Sequence, residues 1–470
     1  MSFQFLKRTF VRFVAALILV SPRVWADVDV SGVTARPSPD WLRSGTLYEI
    51  FPRDFSEAGN LGGVTAKLDE LQSLGVNILW TMPIHPIGVK FRKGDYGSPY
   101  SIKDYYAVDP NYGKVDDYQR LVSEAHKRGM KVIMDLVADH TAWDSVMMPH
   151  PEFYKHDAQG RIISPVPEWK DVAALNYDSL ALRQYMIAMP KYWIQTCDVD
   201  GFRCDAAAMV PTVFWEQVRT ELIKVKPDIM MLAEASKPEL LTNAFDIDYF
   251  WPLLSTVNDV FIHNAPASNI RRSWEDSRAQ FPEAALHLRI SDDHDEARAV
   301  TRYGINGALA ASALMFTLDG VPLIYNGMEA GDTNQSNGGA LFGKRNISWH
   351  SKAHPELRSI YHDLIQLRHQ YAALRNSRVD WLPNSDETKL VTFLRSDDKD
   401  ELLVVINFSA RPITGKVDLK NLEGFALLKI AGMRSSSDGE SLPMFQLNGY
   451  GWRIYHRAAK SVSAVSASRN

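Results

Sequence analysis

Short apolar runs alternate with helical patterns over most of this chain, and this alternation is the feature that most limits its possible folds. Eight runs are typical of buried strands, at residues 47–51, 76–80, 131–135, 201–205, 228–233, 245–250, 287–290 and 321–325. Segments between them carry apolar residues at helical spacing, as at Tyr118, Leu121, Val122 and Ala125. Such alternation favours an α/β fold with a parallel sheet. Eight strands predict a closed (β/α)8 TIM barrel, whose functional residues lie at the carboxyl ends of the strands.

The sequence outside the barrel pattern predicts two smaller parts and a tail. At about residues 141–175 the helical pattern gives way to a loop rich in Pro, His and Trp, which predicts a short excursion after the third strand. Short β-like runs separated by turn residues predict an antiparallel C-terminal β domain at 380–457. The barrel with its excursion then takes residues 27–379. The tail at 458–470, rich in Ser and Ala, is expected to be disordered.

The first 26 residues have the pattern of a signal peptide. Three basic residues precede an apolar run at 13–20, and small residues at 24 and 26 stand where a signal peptidase cuts. The run is too short to span a bilayer comfortably, so an uncleaved anchor is the weaker alternative. We therefore expect a secreted or periplasmic protein without membrane association after cleavage.

The net charge of the chain argues against one class of partner. Residues 1–26 hold four of the 52 basic residues and none of the 56 acidic ones, so cleavage moves the net charge from −4 to −8. Nucleic acid is therefore not an expected partner.

The two cysteines, Cys197 and Cys204, are separated by nearly extended chain and are expected to be buried free thiols rather than a disulfide bridge.

Two carboxylates, Asp205 and Glu234, follow apolar runs and are expected at the carboxyl edge of the sheet. Arg203 lies two residues before Asp205 on an extended segment, so both side chains leave the same face and the guanidinium can hold the carboxylate ionised. Glu234 follows the apolar residues 229–233, which favour its protonated form. Taken singly, each carboxylate is more commonly a solvated strand-end residue. Together they predict a nucleophile and a proton donor.

Four segments carry acidic residues in a fixed order: 135–140 (DLVADH), 201–205 (GFRCD), Glu234 and His294-Asp295. They resemble the four signature segments of the α-amylase family of glycoside hydrolases, and the resemblance extends from Tyr48 to residue 327. It implies a retaining mechanism, with Asp205 as nucleophile, Glu234 as general acid and base, and Asp295 stabilising the oxocarbenium-like transition state. It also implies that the excursion at 141–175 is a short B domain.

The resemblance implies roles for further residues near the acids. Tyr100 matches the aromatic platform for the reacting sugar, and His140, His294 and Arg203 match substrate-binding positions. Asp135 matches a residue that orients the site. Each role has a structural alternative. Tyr100 can simply cover the core, and the two histidines can serve as hydrogen-bond partners. Asp135 can be a strand-end cap.

Several tryptophans and one phenylalanine are also candidates, with packing as the simpler explanation for most of them. Trp193 lies in a helical stretch, and Trp80 and Phe202 lie in predicted core strands. Trp143 and Trp169 stay unassigned.

The chain departs from the family pattern at three places. Met209-Val210 stands where many members have Lys-His, Asp139 stands where Asn is usual, and Asp293 also replaces an Asn. The Asn and the His carbonyl help to bind a structural calcium in many relatives, so we expect no required cofactor and leave calcium as an open question. Asp139 can serve as a calcium ligand or as a salt-bridged loop residue.

We therefore expect a retaining glycoside hydrolase of α-amylase type that cleaves α-1,4 bonds of starch or maltodextrin. The nearest alternatives use the same site as an α-glucosidase or an α-glucan transglycosylase. A non-catalytic carbohydrate-binding protein is a rival of another class, since a fold does not guarantee activity. The presence of all three acids argues against it. The sequence does not indicate an oligomeric state.

Overall fold

The computed structural model describes residues 29–30, 32–335, 337–349, 353–431 and 442–459. The predicted signal peptide at 1–26 lies outside this part, as do residues 460–470 of the predicted tail. Within the described part, no helix has the length and apolar character needed to cross a membrane.

Ten strands of the described chain precede the C-terminal domain. They are β1 (Leu47–Ile50), β2 (Ile78–Thr81), β3 (Lys131–Val137), β4 (His140–Ala142), β5 (Val172–Ala174), β6 (Gly201–Asp205), β7 (Met230–Ala233), β8 (Ile247–Asp248), β9 (Leu288–Arg289) and β10 (Val321–Tyr325). All except β4 and β5 form one parallel sheet in the order β8-β7-β6-β3-β2-β1-β10-β9. A parallel bridge from Asp248 to His287 joins its two edges. The predicted (β/α)8 barrel is confirmed.

Helices surround the barrel and connect its strands. They are α1 (Asp40–Arg43), α2 (Pro52–Phe55), α3 (Leu61–Thr65), α4 (Leu68–Leu74), α5 (Val115–Lys127), α6 (Leu180–Cys197), α7 (Thr212–Leu222), α8 (Leu240–Asn243), α9 (Trp251–His263), α10 (Ser268–Gln280), α11 (Ala299–Thr317) and α12 (Leu357–Gln370). Helix α4 ends at Gly75, which adopts the left-handed conformation (φ 98°) that glycine accepts without strain.

Two barrel strands, β8 and β9, contain only two residues each and are much shorter than predicted. The run at 245–250 forms only Ile247–Asp248, because Phe250 has a positive φ of 44° and Trp251 already begins α9 with a proline in its first turn. The run at 287–290 pairs only at Leu288–Arg289. The helix predicted at 355–374 is α12 followed by a 3-10 turn.

Apolar side chains fill two layers of the barrel. One core lies inside it and includes Trp80, Ile133, Leu232 and Leu323. The other lies between the strands and the helices and includes Trp193, Phe202, Cys197 and Cys204. Both cysteines are buried free thiols, which confirms that prediction. Trp193 is fully buried and donates to the Tyr105 carbonyl, so it packs as expected.

The C-terminal part is antiparallel, as predicted. It contains β11 (Asp380–Trp381), β12 (Leu390–Ser396), β13 (Asp400–Asn407), β14 (Ile413–Lys416), β15 (Ala426–Leu427), β16 (Met444–Leu447) and β17 (Trp452–Ala458). Five strands form one sheet in the order β11-β12-β13-β17-β15, and β14 pairs with β16. Strand β17 extends one residue beyond the predicted end of the domain.

Candidate active site

Arg203 lies at the centre of a group of carboxylates at the carboxyl ends of the barrel strands. Its Nη1 is 2.8 Å from Oδ1 of Asp205 on the same strand and 3.0 Å from Oδ1 of Asp135 on β3. Its Nη2 is 2.8 Å from Oε2 of Glu234, which directly follows β7. Parallel pairing sets this arrangement, because Asp135 and Arg203 are register partners. One buried guanidinium therefore bridges three of the acids singled out in the sequence.

Burial controls the protonation of the candidate catalytic pair. It raises the pKa of Glu234 to about 8, against the opposing effect of Arg203 and with a further rise from Asp205. It also raises the pKa of Asp205 to about 6, although Arg203 opposes the shift. From the sequence we expected Arg203 to hold Asp205 ionised; a pKa of about 6 leaves Asp205 ionised at neutral pH, although the effect of burial on this pKa outweighs that of Arg203. At Glu234 the predicted preference for the protonated form agrees with the structure.

Ala206 connects the two acids through the backbone. It follows Asp205 directly and has a left-handed conformation (φ 42°, ψ 41°), which is rare for a residue other than glycine. Its N–H donates to Oε2 of Glu234 at 2.7 Å. The strained backbone thus fixes one carboxylate relative to the other.

Aromatic rings surround the Arg203 guanidinium. Its central carbon lies 5.2 Å from the Trp80 ring and 5.5 Å from the rings of Tyr100 and Tyr249. Trp80 also donates from Nε1 to Asp135 at 3.2 Å, and Tyr249 accepts from Arg203 Nε at 3.1 Å. Trp80 was expected only in the core, yet it also orients Asp135.

Tyr100 and His294 form a second part of the site. Their rings stack with centroids 5.4 Å apart, and the Tyr100 hydroxyl lies 2.7 Å from His294 Nε2. The same nitrogen is 3.2 Å from Oδ2 of Asp295, whose side chain is 36% exposed and is the most accessible of the three predicted catalytic acids. The structure therefore places Tyr100, His294 and Asp295 in contact.

His140 directs both ring nitrogens at protein groups. Nδ1 lies 2.8 Å from Oδ1 of Asp139, and Nε2 lies 3.1 Å from the carbonyl oxygen of Tyr100. Burial alone would lower the pKa of His140, but Asp139 reverses this and raises it to about 9. The ring of Trp169 packs edge-on against His140, with centroids 5.7 Å apart. His140 thus lies at the base of the excursion, where β4 pairs with β5.

Three residues of the site were missed from the sequence, and one of them is Tyr249, which contacts Arg203. Glu49 on β1 is fully buried and lies 2.5 Å from His294 Nδ1, and Ala206 carries the N–H described above. The only available signal for Glu49 was a carboxylate inside the apolar run at 47–51. Among the departures, Asp293 is buried, Val210 is buried and Met209 is 40% exposed.

The chain matches the family model for the catalytic domain of α-amylase over residues 21–157 and 167–381. A crystal structure of an α-amylase from Lactobacillus plantarum superposes with a TM-score of 0.77 and 30% identity, covering 88% of this chain and 99% of that one. The match takes in the barrel and most of the remaining chain.

Curated relatives are more distant in sequence. An α-amylase from Haloarcula japonica is 29% identical over 407 residues, covering 82% of this chain and 58% of that enzyme. A cyclomaltodextrinase from a Bacillus species is 27% identical over 421 residues, covering 78% of this chain and 73% of the relative. The chain thus spans little more than half the length of the Haloarcula enzyme.

Proposed function

Because this chain belongs to the α-amylase family of glycoside hydrolases, we propose that it cleaves α-1,4-glucosidic bonds of starch or maltodextrin with retention of configuration. One observation carries the proposal: Asp205 and Glu234 contact neighbouring nitrogens of the same guanidinium. Retaining glycosidases hold their two carboxyl groups about 5–5.5 Å apart, whereas inverting enzymes leave a wider gap for water. Two carboxylates bridged by one arginine favour the shorter separation.

In the proposed first step, Asp205 attacks the anomeric carbon while Glu234 gives its proton to the glycosidic oxygen. The carbon–oxygen bond breaks, the sugar leaves as an alcohol, and an ester forms between Asp205 and the glycosyl unit. The raised pKa of Glu234, caused mainly by burial, keeps the required proton on this residue at neutral pH. In the second step Glu234 removes a proton from water, which attacks the anomeric carbon; the bond from this carbon to Asp205 breaks, and the Asp205 carboxylate is released.

The other site residues support these steps in the proposal. Asp295 is the accessible acid, so it is suited to hold sugar hydroxyls and to stabilise positive charge in the transition state. Tyr100 supplies an aromatic ring for the reacting sugar, and His294 contacts both Tyr100 and Asp295. Asp135 orients Arg203, and His140 closes the B-domain side.

We further propose export to the periplasm or the medium and no required metal cofactor. The basic and apolar pattern of residues 1–26 supports the first point. For the second, Asp139 lies beside His140 and Asp205, whereas calcium binds six to eight oxygen ligands. This set of donors does not fit calcium.

Product analysis over time on maltooligosaccharides of defined length tests the proposed function. Mixed short products support α-amylase-type endohydrolysis. Glucose alone from the chain end supports the α-glucosidase alternative, and products longer than the substrate support transglycosylation. The relative named as a cyclomaltodextrinase makes cyclic maltodextrin a useful additional substrate. The absence of cleavage on all of these substrates, with folded protein, would contradict the proposal.

A further inference from the structure

Asp139, His140 and Asp205 form a compact buried cluster with one possible ligand atom each. These atoms all lie within 4.8 Å of one another, and this is the one such group of three found among the residues that the structure describes. Two bonds of about 2.0–2.2 Å to zinc span at most about 4.4 Å. Small side-chain rotations would therefore bring all three atoms to one ion.

One carboxylate oxygen of this cluster is buried without a hydrogen bond. Nδ1 of His140 pairs with Oδ1 of Asp139 at 2.8 Å, whereas Oδ2 of Asp139 has no hydrogen bond among the described residues. Asp139 is only 5% exposed. Buried carboxylate oxygens without hydrogen bonds are costly unless another group approaches them. A metal ion that replaces the Nδ1 proton of His140 would give this oxygen a partner as well.

The second nitrogen of His140 is already held as in a metal site. Nε2 lies 3.1 Å from the Tyr100 carbonyl oxygen, which can only accept a hydrogen bond, so Nε2 carries the proton. Histidine ligands usually donate their other N–H to a carbonyl or a carboxylate, which fixes the ring and leaves the ligating nitrogen facing the metal. This contact is independent of the cluster itself and directs Nδ1 towards Asp139.

We propose that Asp139, His140 and Asp205 bind a divalent transition metal such as Zn²⁺, and that the bound ion inhibits the enzyme. One imidazole and two carboxylates are a donor set that suits zinc, with a fourth position left for water. The ion takes the place of the Nδ1 proton, which is released to solvent. The inhibitory consequence rests on the proposed function, because it requires Asp205 to be the nucleophile.

Metal and substrate cannot use this cluster together. An ion bound to Asp205 occupies the oxygen that would attack the anomeric carbon. Zinc therefore raises KM for maltooligosaccharides and leaves kcat unchanged once substrate saturates the protein.

Calorimetric titration with ZnCl2 tests the site without any substrate. The full chain is first freed of metal by a chelator, and wild type is compared with Asp139→Asn, His140→Gln and Asp116→Asn. Asp116 is an exposed aspartate in the first turn of α5, so it is a matched control for loss of one surface carboxylate. The expected result is one site in wild type, at least about tenfold weaker binding in the two cluster variants, and no change in Asp116→Asn.

Thermal melting of the metal-free variants shows whether each one is folded. If one of the two cluster variants does not fold, the other still tests the site. Equal zinc affinity in wild type and a folded cluster variant would overturn the proposed site. Inhibition that lowers kcat at unchanged KM would overturn the competition with substrate. If wild type binds zinc as expected but cleaves no α-glucan, the proposed function fails and the metal site stands.

Discussion

Glu49 and His294 form a buried ion pair that joins the first barrel strand to the segment carrying Asp295. Oε1 of Glu49 is 2.5 Å from Nδ1 of His294, and the two side chains are 0% and 1% exposed. Burial alone would lower the pKa of His294, but Asp295 and Glu49 outweigh it and raise the pKa to about 10. His294 is therefore a cation at neutral pH. Glu49 holds the ring that contacts Tyr100 and Asp295.

Glu49→Gln is expected to lower kcat/KM for maltooligosaccharides by about 10- to 100-fold. A hydrogen bond to a charged group contributes about 1.5–3 kcal/mol, and each 1.36 kcal/mol lost in the transition state is a factor of ten. The substitution keeps the shape but removes the charge that stabilises the His294 cation. Glu57→Gln, at an exposed glutamate after α2, is the matched control. Equal kinetics in both folded variants would show that Glu49 has no positioning role.

The activity is expected to fall on the alkaline side with an apparent pKa near 8. Burial raises the pKa of Glu234 to about 8, and only its protonated form can donate to the leaving sugar. Activity should therefore be present below this pH and lost as the pH rises through it. The profile of kcat/KM against pH measures this limb, with thermal melts at each pH to monitor folding. A limb near the ordinary carboxyl pKa would contradict the assignment.

Removing calcium is expected to shift the melting temperature by less than about 2 °C. A ligand that binds only the native state stabilises it by mass action, and 1 kcal/mol corresponds to only a few degrees in a protein of this size. Val210 and Met209 replace the usual pair, and the Asp139 carboxylate lies near His140 and Asp205. Melting with and without chelator checks this. A large drop restored by calcium alone would show that Asp139 rebuilds the family's site.

Asp205→Asn is expected to lower kcat by at least about a thousandfold while oligosaccharide binding persists. The change removes the nucleophile at nearly constant shape, and loss of a nucleophile costs far more than loss of a binding contact. Kinetics and equilibrium binding of maltooligosaccharides measure the two effects separately. Mass spectrometry excludes reversion to Asp by deamidation. Substantial activity in the intact Asn variant would remove Asp205 from the role.

Much of the barrel and the ion pair between Arg203 and Asp205 can be predicted from local sequence. Alternation of strands and helices gives the sheet, and a spacing of two on a strand places Arg203 beside Asp205. These properties depend on neighbours in the chain. The sequence indicated Asp135 only through the family resemblance, and its contact with Arg203 was not predicted because it depends on the register between β3 and β6.

The missed residues depend on how distant segments meet when the barrel closes. Glu49 on β1 and His294, which follows β9, are 245 positions apart, and β10 separates their strands in the sheet. The role of Ala206 could not be predicted from the sequence, because it depends on a left-handed backbone conformation that alanine does not favour. The effect of burial on Asp205 was also missed, since desolvation depends on the packed surroundings rather than on the neighbouring arginine.

The central claim is that Asp205 is the nucleophile and Glu234 the proton donor, and one experiment on Glu234→Gln tests both. The variant should fail on maltooligosaccharides, whose leaving group needs a proton, but should still react with α-glucosyl fluoride, whose leaving group does not. Added azide should then restore turnover by attacking the glycosyl-enzyme without help from a base. The account predicts glucosyl azide of α configuration, after two inversions at the anomeric carbon. Equal loss on both substrates with no azide rescue, or an azide of β configuration, would contradict it.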